Sequence, residues 1–184
     1  MKASSRFFAP RLSTIRSLLP GVNLSVTALE RPPDLKRIPF DLTLFFEEPG
    51  AGKEIGPDII FPVCAPPVAT RLQHPTDLAQ VPCLTDSAWA DDWPAWLHAA
   101  LPEKTFTPRG PVFSLYSLAV GEAIDGAGVL IGHQALVADH LASGALVAPF
   151  GQRLTLPRAL TLRALKPARP GTVAARVVDL LAQS

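Results

Sequence analysis

The sequence predicts an α/β fold, and three observations lead to that prediction. Short apolar segments alternate along the chain with helical segments of about ten residues, a pattern typical of parallel sheets with βαβ crossovers. The 20 prolines and 12 glycines are spread over the 184 residues, so they punctuate short elements rather than mark one disordered tract. Residues 117–150 show the pattern most clearly, as helix, glycine turn, apolar strand, helix, glycine turn and second apolar strand.

Apolar spacing, polar caps and glycine or proline stops predict the helices, and alternation or short apolar runs predict the strands. The predicted helices span residues 5–19, 75–79, 90–101, 117–125, 134–142 and 173–182, with one further turn within 29–40. The predicted strands span residues 22–27, 41–46, 59–64, 82–85, 112–116, 129–131, 145–147 and 160–164. The polar segment 47–58 is predicted to be a loop. Ser117 is expected to cap the helix that it begins, and Gly144 to end the helix before it.

The composition is that of a globular protein with a core, since 48% of the residues are hydrophobic and 18% are charged. A net charge of +1 excludes a broad basic field that would attract DNA or anionic lipid. The N-terminus lacks the apolar run of a secretory signal, and no apolar segment is as long as a membrane span. We therefore expect a cytoplasmic protein with no membrane partner.

Catalytic and metal-binding motifs are missing from the sequence. Cys64 and Cys83 are the only cysteines, and we expect two free, buried thiols. No CxxC pair or His/Cys cluster has zinc-ligand spacing, so no metal is predicted. The glycines of residues 126–132 do not have the spacing of a dinucleotide-binding loop, and no GxSxG nucleophile turn occurs. The sequence therefore predicts no cofactor and no enzymatic activity.

Four segments, in this order, carry a resemblance to a known family. They are FAPRL at residues 8–12, FDL at 40–42, FPVCAP at 61–66, and GAGVL at 126–130 with LVADHLASGAL at 136–146. Together they resemble the effector-binding domain of LysR-type transcriptional regulators, and in particular its glycine-cleavage-activator branch. The WPAWL segment at 93–97 adds to the resemblance.

The resemblance implies two Rossmann-like lobes, similar to type 2 periplasmic binding proteins and joined by two crossover strands. Lobe I would comprise residues 1–61 and 148–184, and lobe II residues 62–147. In the family a winged helix-turn-helix domain precedes this one, and we expect DNA to be bound only through that domain, which residues 1–184 do not contain. The resemblance also implies a homodimer, and a tetramer for the full-length protein. The helices at 8–19 and 90–101 are the candidate contacts, unless their apolar stripes belong to the core of each chain.

The expected ligand is a small-molecule effector held between the two lobes. In open α/β sheets, ligands bind beyond the carboxyl ends of the strands, where helix N-termini present amide groups. The candidates chosen on this basis are Ser4, Ser5, Glu30, Arg31 and Phe46 in lobe I, and Asp86, Ser87, Trp89, Ser114, Tyr116 and Ser117 in lobe II. Hydroxyl groups and Arg31 suit a carboxylate or an amide oxygen, and the aromatic rings would form walls.

Each candidate also has a structural alternative. The serines at positions 4, 5 and 117 are suited to cap helices, Glu30 and Arg31 to form a solvated pair, and Trp89 and Tyr116 to pack in a core. His133, which follows the 129–131 strand, is better explained as a structural residue. The sequence has Lys2 where many family members have a serine or threonine, and Phe45 or Phe46 where arginine is frequent. These differences favour a pocket that is more aromatic and less suited to an acid.

The leading hypothesis is therefore the effector-sensing regulatory domain of a LysR-type transcriptional regulator. The alternative is a periplasmic-type solute-binding protein of a transporter, which would require a secretory signal. An enzyme on the same fold is a third hypothesis, and it would require a base or metal cluster that the sequence does not show.

Overall fold

The computed structural model describes residues 3–29, 32–33, 40–103, 106–164, 169 and 171–182, and for residues 3–10 it describes the backbone alone. The α-helices are α1 (Ala3–Leu18), α2 (Pro66–Ala69), α3 (Asp92–Ala100), α4 (Tyr116–Ile124), α5 (Gln134–Ala142) and α6 (Val173–Ala182). The strands are β1 (Leu42–Glu47), β2 (Lys53–Val63), β3 (Cys83–Asp86), β4 (Val112–Phe113), β5 (Val129–His133) and β6 (Leu154–Ala164). Two short 3-10 helices span Pro75–Gln80 and Ser87–Trp89.

The chain divides into two compact units. Unit 1 contains Ile59–Thr155 together with Ala3, and unit 2 contains Ser4–Asp58 and Leu156–Ser184. The chain therefore passes from one unit to the other within β2 and again within β6. None of the described helices is both long and apolar enough to cross a bilayer.

In unit 1 the strand order is β2-β5-β3-β4. Strand β3 is parallel to β4 and to β5, as the sequence predicts, but β5 is antiparallel to β2. Strand β5 is buried along its whole length, which explains its uninterrupted apolar sequence. Small residues on α4, Ala119 and Ala123, are fully buried in the core of this unit and let the helix approach the sheet closely.

Two glycines allow other segments to approach β3. A Cβ atom at Gly128 would collide with the carbonyl oxygen of Pro82, and one at Gly110 would collide with the carbonyl oxygen of Cys83. Hydrogen bonds tie the same segments together, since the amide of Val129 donates to Pro82 and the amide of Cys83 donates to Arg109. The glycines therefore permit backbone contacts that any side chain would prevent.

In unit 2 the strand order is β1-β6-β2. Strand β1 is antiparallel to β6, with Phe46 opposite Leu160. The core comprises Ile15 and Leu19 at and just beyond the end of α1, Leu162 of β6, and two residues of α6. Asp58 is fully buried and accepts a hydrogen bond from Nε of Arg158 over 2.6 Å, which supplies the partner that a buried carboxylate requires.

The apolar stripes of the two candidate dimer helices contribute to the core of each unit. On α3, Trp93, Trp96 and Leu97 are buried in unit 1, and the Trp93 indole donates a hydrogen bond to the carbonyl of Leu84 over 2.9 Å. In the α1 region, Ile15 and Leu19 are buried in unit 2. Of the two explanations that the sequence leaves open, burial within the chain accounts for these residues.

Several predicted elements differ from the structure, and backbone pairing explains most of the differences. Residues 22–27 alternate, and Val22 and Leu24 pack on the core of unit 2, but the segment joins no strand ladder and forms no strand. The predicted strand at 145–147 is a single bridge between Val147 and Cys64. The predicted loop at 47–58 is wrong from Lys53 onwards, because β2 begins there next to β6 despite its glycine and proline. The predicted turn of helix within 29–40 falls largely outside the described residues.

The boundary between β4 and α4 also differs from the prediction. The strand ends at Phe113, and Leu115 is the residue before the helix, with extended backbone and an oxygen that accepts from Ala119. Ser117 is therefore in the first turn of α4 and does not cap it. Gly144 does end α5, at φ 72°, as predicted.

Candidate functional site

The carboxyl ends of three strands meet at one edge of the unit 1 sheet. Strands β3, β4 and β5 run parallel, so their last residues, Asp86, Phe113 and His133, lie at the same edge. This is the edge at which α/β sheets bind ligands. The first turns of α4 and α5 follow β4 and β5 directly, so the edge also carries two helix N-termini.

Five side chains form a compact group at this edge, and we call it the Asp86–His133 cluster. Its members are Asp86, Trp89, Asp92, Tyr116 and His133. The ring centroid of Trp89 lies 3.9 Å from that of His133 and 4.8 Å from that of Tyr116, and the Tyr116 and His133 centroids are 5.4 Å apart. Three aromatic rings and two carboxylates therefore share one small volume.

The hydroxyl of Tyr116 holds the end of β5 in place. It donates a hydrogen bond to the carbonyl of Ile131 over 3.2 Å and accepts one from the amide of His133 over 3.1 Å. Tyr116 is buried, with 3% of its surface exposed. The hydroxyl therefore binds β5, and Tyr116 also lines the small cavity at this edge of the sheet.

Asp92 and His133 form a buried pair. Oδ2 of Asp92 lies 3.1 Å from Nε2 of His133, and both side chains are almost entirely shielded from water. Asp92 is the first residue of α3, where the helix dipole also favours a negative charge. The pair connects the start of α3 to the end of β5, and it compensates the charge of Asp92 in a site where an unpaired charge would be costly.

Asp86 is the other buried acid of the cluster. Its Oδ1 accepts a hydrogen bond from the Ala88 amide over 2.7 Å and thereby begins the 3-10 helix Ser87–Trp89. Burial raises the pKa of the Asp86 carboxyl, and the negative charge of Asp92 adds to this effect. The Ala88 and Trp89 amides and the charge of His133 act in the opposite direction but do not cancel it.

The predicted serines surround the cluster at the surface. Ser87 and Ser114 are exposed, and Ser117 is half-buried in the first turn of α4. Together with Asp86, Trp89 and Tyr116, all six predicted residues of lobe II belong to unit 1 and lie on β3, directly after β4, or in the helical segments that follow these strands. The sequence-based choice therefore selects one end of one sheet.

The predicted residues of lobe I are less completely described. Ser4 and Ser5 belong to the first turn of α1, and only their backbone is described. Glu30 and Arg31 lie outside the described residues. Phe46 is half-buried in β1, opposite Leu160. The contribution of these five residues to a ligand site stays a prediction.

Sequence reasoning did not select Asp92 and His133 as site residues. Asp92 is not among the predicted residues, and the sequence favours a structural role for His133. Their pairing depends on a separation of 41 positions in the chain and on the β5–α3 packing, which no local pattern reveals. The available signal was that His133 follows a wholly apolar strand, where a histidine requires a polar partner.

No metal or redox site accompanies the cluster in the described part of the chain. Among the described residues, no three His, Cys, Asp or Glu side chains are placed to hold a metal ion. Cys64 and Cys83 are free and buried, and burial raises the pKa of each thiol to about 11. Both thiols are consequently protonated and unreactive near neutral pH.

A larger cavity of about 380 Å³ lies in unit 2, and its lining is mostly apolar, unlike that of the cluster. Residues 23–29 and apolar side chains of α1, β1, β6 and α6 line it, and Asp41 is the charged residue among those that line it. Pro33 and Phe40 on its rim flank residues 34–39, which lie outside the described residues. The titratable groups and the strand ends converge in unit 1, and the candidate site is therefore placed there.

Comparison with known proteins gives consistent matches over the chain. A family model described as the LysR substrate binding domain matches residues 2–184. The HTH-type transcriptional activator AmpR of Rhodobacter capsulatus is 35% identical over 158 residues, which cover 81% of this chain and 52% of that protein. The glycine cleavage system transcriptional activator of Escherichia coli K12 is 28% identical over 163 residues, which cover 85% of this chain and 53% of that protein.

Among solved structures, the effector domain of the transcriptional regulator AmpR of Pseudomonas aeruginosa has a TM-score of 0.79. The match covers 96% of this chain and 91% of that one at 24% identity, which shows a common fold. The effector binding domain of AmpR from Citrobacter freundii has a TM-score of 0.76 with 94% and 90% coverage. These matches confirm the fold class that the resemblance implied.

Proposed function

The chain belongs to the LysR substrate-binding domain family, and from this premise we propose that it senses a small-molecule effector on behalf of a transcriptional regulator. The effector would bind at the Asp86–His133 cluster and the serines around it. The observation that carries the proposal is the convergence of β3, β4 and β5 at one edge, where two helix N-termini and a buried acid–aromatic group meet.

The regulatory output would belong to a longer protein. The chain spans about half the length of the curated relatives it matches, at 52% and 53% of the two described above. We propose that DNA is contacted by a winged helix-turn-helix domain that this chain does not contain. The net charge of +1 on the chain agrees with a domain that does not itself bind DNA. A regulator of this kind would act in the cytoplasm and would not be an enzyme.

An effector can change the output only by binding two states of the protein with different affinities. We propose that lobe I corresponds to unit 2 and lobe II to unit 1. We also propose that the two states of the protein differ in the structure inside these lobes. Strand β5 is a suitable element for this role, because Tyr116 and His133 join its end directly to the candidate site. The contribution of Ser4, Ser5, Glu30, Arg31 and Phe46 is part of the same proposal.

The regulator would work as a homodimer of this domain, and as a tetramer at full length. The apolar stripes of α1 and α3 are buried within each chain, so a dimer would use the outer faces of these helices, where Leu18 is 52% exposed. Sedimentation velocity at micromolar concentration tests the proposal. A strict monomer of the 184-residue chain would count against a dimer formed by this domain alone.

The transporter alternative is disfavoured. The relatives reported above are named as transcriptional activators, and none of these names describes a transport protein. A regulator and a transport protein on the same fold differ in what they are joined to, so the complete gene distinguishes them. A DNA-binding domain encoded in frame supports the regulator, and a secretory signal in its place would support the transporter.

Thermal-shift screening of amino acids, aromatic acids and cell-wall fragments tests the sensing function. An effector present at 100 times its Kd stabilises the domain by about 2.7 kcal/mol, which is readily measured. A confirmed effector should lose at least tenfold in affinity when Trp89→Ala or Ser117→Ala is introduced. Ser13→Ala, on the exposed face of α1, is the matched control and should leave the affinity unchanged. Unchanged affinity in both site variants would place the effector elsewhere.

A further inference from the structure

One oxygen of Asp86 lacks a partner in the described part of the protein. Oδ1 is engaged by the Ala88 amide, whereas Oδ2 has no hydrogen bond of ordinary geometry from any described residue. Only 4% of the Asp86 surface is exposed, so bulk water does not compensate for the missing bond. The Trp89 amide faces the same carboxylate but leaves Oδ2 available. Buried polar atoms are ordinarily paired, so an unpaired carboxylate oxygen indicates a partner from outside the chain.

A small cavity adjoins this carboxylate. It measures about 10 Å³ and is lined by the five members of the Asp86–His133 cluster together with Leu84, Thr85, Trp93, Leu130 and Ile131. A space of this order holds one group the size of a water molecule. Thr85 and Trp89 are half-buried, so the cavity lies just beneath the surface and not deep in the core.

The charges around the cavity favour a cation. The charged or titratable side chains that line it are Asp86, Asp92 and His133. Asp92 and His133 form an ion pair at 3.1 Å, whereas Oδ2 of Asp86 has no hydrogen-bond partner among the described residues. The rings of Trp89 and Tyr116 pack edge-on at 4.8 Å beside it and bring no charge of their own to the cavity. A carboxylate or phosphate at this point would be repelled by Asp86.

We propose that Oδ2 of Asp86 receives a hydrogen bond from a compact primary ammonium group of the effector, so that the effector is an amine. This inference rests on the proposed effector-sensing function and adds the chemical class that the unit 1 site selects. Any acidic part of the same effector would lie outside the cavity, towards the first turns of α4 and α5, where amide groups favour negative charge.

The first experiment uses methylammonium chloride as the probe of the cavity in the 184-residue chain. Chemical shifts of the Ala88 and His133 backbone amides are followed during titration, because Ala88 donates to Asp86 and His133 to Tyr116. We expect saturable shifts with methylammonium, and none with tetramethylammonium chloride or sodium acetate at the same ionic strength. Tetramethylammonium lacks an N–H donor and exceeds the cavity, and acetate carries the wrong charge. Equal responses to all three salts would overturn the proposal, and this comparison requires no variant.

The second experiment compares variants. Asp86→Asn keeps the oxygen that caps the 3-10 helix but removes the charge, and it should weaken methylammonium binding at least tenfold. Asp91→Asn alters an exposed carboxylate outside the cavity and is the matched control, with binding unchanged. Methylammonium bound equally well by Asp86→Asn would refute the role of Asp86.

Different experimental outcomes would refute an amine effector and refute effector sensing. An effector found by screening that has no primary amine, or that binds Asp86→Asn as tightly as the unaltered chain, would refute the amine inference while sensing stands. An amine effector whose affinity falls at least tenfold in Asp86→Asn would support both. If no screened compound shifts the Ala88 or His133 resonances while methylammonium does, the cavity selects amines and the sensing function is the part that fails.

Discussion

Nε2 of His133 lies 3.1 Å from Oδ2 of Asp92, and this pair joins the last residue of a buried strand to the first residue of a helix. The two side chains are 0% and 6% exposed, so the ion pair lies where water contributes little to the stability of either polar group. The pair therefore fixes the position of α3 relative to the end of β5. Asp86, the other acid of the cluster, has one oxygen without a partner among the described residues.

Loss of this pair should destabilise the protein. Asp92→Asn removes the charged acceptor facing His133 and should lower the free energy of unfolding by about 2 kcal/mol. The exposed neighbour Asp91 provides the control, because Asp91→Asn should change the free energy of unfolding by less than about 0.5 kcal/mol. Urea unfolding measures both, and a double-mutant cycle with His133→Gln should give a coupling energy above about 1 kcal/mol. A coupling near zero would show that the two side chains do not stabilise each other.

Removal of the Tyr116 hydroxyl should loosen β5. Tyr116→Phe preserves the ring but leaves the buried His133 amide and the Ile131 carbonyl without their partner. We expect a loss of roughly 1 to 3 kcal/mol in unfolding free energy. Hydrogen exchange should also become faster at the His133 amide, whereas the Cys64 amide, bonded to Val147, should keep its protection. Unchanged exchange at His133 would contradict the bridging role.

Asp86 should make stability depend on pH. Its pKa in the folded protein is raised above the ordinary carboxyl value of 3.8 by burial, so the folded state holds this proton more tightly than the unfolded state. Its contribution to stability is therefore fully present below pH 3.8 and is lost as the pH rises through the folded pKa. Asp86→Asn should abolish this loss, so its stability relative to the unaltered chain should improve from pH 4 towards neutrality. A difference that stays constant with pH would contradict the raised pKa.

Two glycines with different surroundings should respond oppositely to alanine. A Cβ at Gly128 would collide with the Pro82 carbonyl and lie 3.1 Å from Cδ2 of Leu84, so Gly128→Ala should cost roughly 1 to 3 kcal/mol. Gly121 lies within α4 with nothing inside 4 Å of the added atom, so Gly121→Ala should stabilise the protein by about 0.5 to 1 kcal/mol. Thermal and urea unfolding measure both, and similar effects at the two positions would argue against the close approach at β3.

The two thiols should resist modification. With a pKa of about 11, only about 0.1% of Cys64 or Cys83 is thiolate at pH 8. Reaction with an aromatic disulfide reagent should therefore be slow in the folded protein and rapid in urea. Rapid reaction of either thiol without denaturant would show that it is accessible to solvent.

The sequence predicts most helices and the buried strands because their signals are local. Helix α6 spans Val173–Ala182 as its apolar spacing indicates, and β5 contains the predicted segment 129–131. Strands depend on a partner that the local pattern does not name. Residues 22–27 alternate like a strand but join no ladder, whereas the polar Lys53–Asp58 segment forms the first part of β2 next to β6.

The candidate site was predictable where its signal is local, and it was not predictable where distant segments pack together. Residues that follow strands, such as Asp86 and Tyr116, could be chosen from the α/β rule because strand ends lie at one edge. The pairing of Asp92 with His133 could not, because it arises from tertiary packing between distant segments. The hydroxyl of Tyr116 likewise has partners on β5, 15 and 17 positions away, that no spacing in the sequence indicates.

The position of Tyr116 has a spectroscopic consequence. It is the only tyrosine of the chain, and its ring centre lies 4.8 Å from that of Trp89. At such a distance, energy absorbed by the phenol passes to the indole before it can be emitted, so the folded protein should show no tyrosine fluorescence. The appearance of that emission would mark the moment at which the two rings separate, and the candidate site thus carries its own optical reporter without any added label.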